Sequence, residues 1–96
     1  MKRFVVAINN ASTEQRNAIA KYLHEQEFGY WHWFQDFWLV TTIDSKIGST
    51  YIRDVIQTVA SGVHCLVLEV EGNSEKWAGF GDKDRFDWLH KSWNKD

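Results

Sequence analysis

Apolar positions along the chain change period several times, and each change marks an element. Phe4-Val5-Val6-Ala7-Ile8 is an unbroken apolar run that ends at Asn9-Asn10, which predicts a short buried strand over 3–8 rather than a helix. Ser12 stands three residues before Gln15, the spacing of a capping box in which each side chain satisfies an orphan N–H. Ala18, Ile19, Tyr22 and Leu23 then recur at helical period, predicting a helix over about 13–26 that Gly29 stops. Residues 30–43 are dominated by aromatic and β-branched side chains, interrupted only by Gln35-Asp36. They predict a hairpin with its tight turn at that pair, because the closing Val40-Thr41-Thr42-Ile43 is poor helix material.

The polar stretch 44–49, with Gly48, predicts a loop. Ile52, Val55, Ile56, Val59 and Ala60 form one helical face, and Gly62 is placed to end that helix. Residues 63–70 read as a further strand that Gly72-Asn73 closes. Beyond it, Trp77-Ala78-Gly79-Phe80-Gly81 predicts a turn into a short helix over 82–93. Asp82 or Asp84 is the cap of that helix, and Phe86, Leu89 and Trp93 are its buried stripe.

The order is β-α-β-β-α-β plus a C-terminal appendage over about 73–96, a single α+β domain of the ferredoxin-like pattern spanning 1–96. Its four-stranded antiparallel sheet carries two helices on one face. The strands are nevertheless apolar at consecutive positions, where a sheet covered on one side alternates. The second face is therefore expected to meet a partner subunit, the C-terminal segment or both. Val5, Ala7 and Val67 are taken as its dimer face, and Val5→Lys is expected to break the dimer.

Composition narrows the function. The 96 residues include six Trp, six Phe and three Tyr, no proline and one cysteine. Each ring removes about 150–250 Å² from water, which suits a chain short of core. One cysteine makes no internal disulfide and no cysteine zinc site, so a reducing cytoplasm is the expected location. No apolar run approaches the roughly 18 residues of a membrane span, and the N-terminus does not read as a secretory signal. Eleven Lys and Arg stand against thirteen Asp and Glu, for a net charge of −2, which does not suit a protein that coats a phosphate backbone.

Tyr30-Trp31-His32-Trp33, then Trp38-Leu39-Val40-Thr41-Thr42, Ile52-Arg53-Asp54, the stretch 66–72, and Trp77-Ala78-Gly79-Phe80 with Trp88-Leu89 together resemble the small SinR-like family of bacterial and phage proteins. The resemblance covers nearly the whole chain. That family is similar in fold to the small CRISPR adaptation-subunit proteins, so the resemblance implies a ferredoxin-like homodimer. Those relatives commonly end the first strand in Tyr-Asp, the Asp being the proposed metal-binding residue of a nuclease site. Here the positions are Ile8-Asn9, and an uncharged amide is a poor ligand for Mg²⁺. The resemblance implies the scaffold without its catalytic carboxylate.

The remaining chemistry is sparse. His24, His32, His64 and His90 form no i, i+4 pair, and no metal site is expected. Cys65 lies in an apolar strand and reads as a core thiol. Gly79-Phe80-Gly81 is neither a P-loop nor a dinucleotide fingerprint. The residues singled out for binding are Trp31, His32, Trp33, Trp38, Arg53, Trp77 and Phe80. The expectation is a non-enzymatic interaction protein without cofactor. It acts as a homodimer with a protein partner, as an inhibitor or accessory factor of a bacterial or phage defence or toxin system. The alternatives are a metal-dependent endonuclease using acids such as Asp36 or Asp44, and a non-catalytic nucleic-acid-binding module that takes a duplex in a groove across the dimer, where two copies of each cation double the local charge.

Overall fold

The computed structural model describes residues 1–71 and 77–94. Helix α1 (Thr13–Glu25) starts in the expected capping box. The Gln15 N–H donates to Ser12 Oγ at 3.1 Å, and the Ser12 N–H donates to Gln15 Oε1 at 2.9 Å. Its other end differs from expectation. The chain reverses at Glu27, whose φ is 60°. The N–H groups of Phe28 and Glu27 donate to the carbonyls of Leu23 and His24 at 3.0 and 3.1 Å. This is a Schellman closure with Glu where glycine is the usual residue. Gly29 serves a different purpose: a Cβ there would collide with Thr41 Oγ1 and lie 3.5 Å from the Trp88 ring. Replacing Glu27 by Gly should therefore raise stability by about 1 kcal/mol, since the left-handed conformation no longer opposes a side chain. The check is a higher urea midpoint at unchanged slope.

Strands β1 (Lys2–Asn9), β2 (Gly29–Phe34), β3 (Phe37–Thr42) and β4 (His64–Val70) form one antiparallel sheet in the order β2-β3-β1-β4. With α1 and α2 (Ser49–Val59) this is the ferredoxin-like layout. Helix α3 (Lys83–Trp88) follows and runs on as a π-helical segment, Leu89–Trp93. Asp82 is its N-terminal flank but makes no capping bond; it pairs instead with Arg85 at 3.3 Å. The strand end expected at Gly72-Asn73 lies outside the described residues.

The consecutive apolar residues of the strands serve two separate cores. Phe4, Val6, Ile8, Trp38 and Val40 point to the helix side and pack with Ile19, Leu23, Ile52, Ile56 and Ala60. On the other face Trp31 and Leu39 pack with Leu89 and Trp93, joined by Val5, Val70, Trp77, Phe86 and Trp88. The C-terminal segment thus folds back over its own sheet. Three polar contacts fasten it: Trp31 Nε1 donates to the Arg85 carbonyl at 2.5 Å, Arg3 Nε to the Trp93 carbonyl at 2.5 Å, and Trp77 Nε1 to Asn94 Oδ1 at 2.9 Å. The Arg3 charge meets the Trp93 carbonyl at the end of the C-terminal helical segment, where a cation is favoured. Between the two long helices, Tyr22 Oη and Tyr51 Oη are 3.0 Å apart. Burial first, then that bond, push the Tyr22 phenol up to about 12.

Candidate interaction surface

Register sorts the second face into three cross-strand rows. Phe34, Phe37, Ala7 and Leu66 are successive neighbours across β2, β3, β1 and β4 and make the first row. Trp31, Leu39, Val5 and Leu68 make the second; Gly29, Thr41, Arg3 and Val70 make the third. The C-terminal segment sits on the third row and most of the second. The first row is open at its two ends, with Phe34 55% and Leu66 59% exposed and Phe37 and Ala7 half-buried between them, and Leu68 at the end of the second row is 50% exposed. A stripe of apolar side chains therefore crosses the whole sheet in front of the C-terminal cover. A cavity of about 410 Å³ runs beneath that cover, floored by Val5, Trp31 and Leu39 and roofed by Trp77, Phe86 and Leu89; Phe34 and Phe37 line it too. Its size and its aromatic walls are those of a small apolar ligand site.

A bulge in β2 shapes the stripe. Trp31 opposes Leu39 and Phe34 opposes Phe37, so β2 carries one extra residue between them. A regular strand would put Trp31 and Trp33 on one face; here Trp31 and Phe34 share it, their ring centroids 4.9 Å apart. Trp33 is displaced to the sheet margin, where the Arg85 guanidinium lies 4.6 Å from its ring centroid. His32 turns to the helix side and stacks on Trp38, centroids 3.3 Å apart and planes 6° from parallel. Its Nε2 lies 2.8 Å from the Gln35 carbonyl.

The residues singled out for binding fall in different places. Trp31 and Trp38 are buried, Trp38 completely, so neither offers its ring to a ligand at the surface. Trp77 is half-buried, stacked with Phe86 and bonded to Asn94. Phe80 is 97% exposed. Arg53 lies on the outer side of α2, its Nη2 2.7 Å from Asp54 Oδ1. Of the proposed dimer face, Val5 and Ala7 do lie on the second face, but Val67 faces the helices and packs against their core. The correction follows from parity: Val67 pairs with Val6, while Ala7 pairs with Leu66 and Val5 with Leu68. Val5 also packs against the C-terminal cover, so Val5→Lys strikes that cover first. Leu66 and Leu68 are legible only through their pairing with β1, which a run as uniformly apolar as 65–68 does not disclose.

Asp36, in the β2–β3 turn, accepts from Arg16 Nε at 3.1 Å. Asp44 lies beyond the far end of β3 and accepts the Lys46 N–H at 2.9 Å. The six-residue β3 between them spans about 20 Å, too far for one chain to bring both carboxylates to one ion. Among the described residues no group of three or more His, Cys, Asp or Glu is placed to hold a metal. Burial pushes the Cys65 thiol up, with Arg53 pulling weakly the other way, which keeps it a protonated thiol. No described helix is long and apolar enough to cross a membrane. Comparison of the chain with protein-family models, with curated proteins and with solved structures finds no match in any of the three.

Proposed function

We propose that this chain is a non-enzymatic interaction protein that acts as a homodimer and recognises a protein partner through the second face of its sheet. The observation that supports this reading is the apolar stripe that runs from exposed Phe34 through half-buried Phe37 and Ala7 to exposed Leu66 and Leu68, beside a face already half covered. Such a stripe costs solvation free energy unless another surface covers it, and aromatic anchors are what protein interfaces use. The stripe has no cation of its own. The nearest cluster, Lys83 and Arg85, alternates with Asp82 and Asp84, so a phosphate backbone finds little net attraction there. The resemblance to the SinR-like family adds a place for the protein as an inhibitor or accessory factor in a bacterial or phage defence or toxin system.

Sedimentation equilibrium tests the assembly. The chain should be dimeric at micromolar concentration, and Leu66→Lys with Leu68→Lys should leave a monomer with unchanged far-ultraviolet circular dichroism. A wild-type chain that stays monomeric across that range overturns the proposal.

A further inference from the structure

We infer that two copies of this chain join edge to edge along β4, antiparallel and centred on Val67, to give one continuous eight-stranded sheet. The inference rests on the homodimer reading above and specifies its geometry. The sheet has two edges, β2 and β4. An exposed edge is a template for another strand, and proteins blunt it with bulges, Pro, Lys or a covering side chain. β2 has such devices: its bulge, and Arg85 laid over Trp33. β4 has neither. Its seven residues, His-Cys-Leu-Val-Leu-Glu-Val, include no Pro, Lys or Arg, and its pairing with β1 runs without a shift from Arg3↔Val70 to Asn9↔His64.

Only pairing centred on Val67 uses all seven residues of both strands. In that register Leu66 stands opposite Leu68 of the partner subunit, and Leu68 opposite Leu66 of the partner subunit. The two exposed hydrophobic side chains of the strand thus cover each other twice, as directly opposed residues do at about 4.5–5.5 Å between Cβ atoms. On the helix side Cys65 stands opposite the partner's Glu69. Within its own subunit that Glu69 carboxylate is paired with Lys2 of β1, Nζ to Oε1 3.6 Å. Directly opposed residues point to the same face, so the two apolar stripes become one surface flanked by both C-terminal covers.

The test is the full chain carrying Glu69→Cys, treated with a mild oxidant or a short thiol-to-thiol bridge. Cys65 of each subunit should link to the partner's position 69, doubling the mass on a non-reducing gel. Within one chain the two positions are four residues apart on a strand, about 13 Å, too far for a disulfide. Adding Cys65→Ser should abolish the link, and the wild-type chain should not form one. A link that persists in the double variant means a different register and overturns the inference. A chain that sediments as a dimer yet does not link in the Glu69→Cys variant also overturns it, while leaving the homodimer reading in place. A monomer overturns both.

Discussion

Trp38→Ala should lower the unfolding free energy by about 3–5 kcal/mol, the range for emptying a buried aromatic site. Trp38 is completely buried and lies in the larger core between β1 and the two long helices. It also carries the His32 stack and a Tyr30 contact with centroids 6.0 Å apart. Against a typical total of about 5–15 kcal/mol, that loss is a large fraction of the stability. Urea titration followed by circular dichroism measures it. Trp38→Phe should cost less than half as much. It leaves a ring for His32 to stack on and removes an indole N–H that has no hydrogen-bond partner among the described residues, relieving a penalty of about 1–3 kcal/mol. A Trp38→Ala chain within 1 kcal/mol of wild type would contradict the packing described here.

Trp93→Ala should produce a loss of similar size but different reach. Trp93 and Leu89 press on Trp31 and Leu39, and the Trp93 carbonyl holds Arg3. Truncating the indole removes about 3–5 kcal/mol of packing from a core whose roof comes almost entirely from the C-terminal segment. That is enough to free the segment while α1, α2 and the helix side of the sheet stay assembled. Amide exchange over Lys83–Trp93 should accelerate while exchange over β1 and β3 remains slow, and an apolar dye should gain a site on the bared face. Uniform acceleration over the whole chain would show that the two cores unfold as one.

The elements were legible because their signals are local. The Ser12–Gln15 box, the i, i+3, i+4 stripe of α2 and the Gln35-Asp36 turn each arise from neighbours within a few residues. The faces were not. Period-2 parity tells a face only where polar residues alternate; β1 is apolar on both sides because two cores claim it, and β4 because Cys65 and Val67 pack toward the helices while Leu66 and Leu68 stand exposed on the other face. Val67 was assigned to the wrong side for that reason. The β2 bulge moved Phe34 onto the face a regular strand would give to Trp33, and no residue in Tyr30-Trp31-His32-Trp33 announces it. Glu27 hid the helix end because it takes a conformation that glycine normally advertises. Of the stripe expected in the C-terminal helix, Leu89 and Trp93 are buried and Phe86 is half-buried, but what they are buried against is a tertiary fact.

The bond from Arg3 to the Trp93 carbonyl joins residues 90 positions apart, and it has a kinetic consequence. β1 lies mid-sheet between two strands that come later in the chain, so its ladders wait on long loop closures. Chains built on such distant contacts reach the native state in milliseconds to seconds rather than microseconds. The aromatic roof can dock only after its floor has been laid, and until then the molecule is sticky on one side, which makes the final step the one most exposed to misassociation.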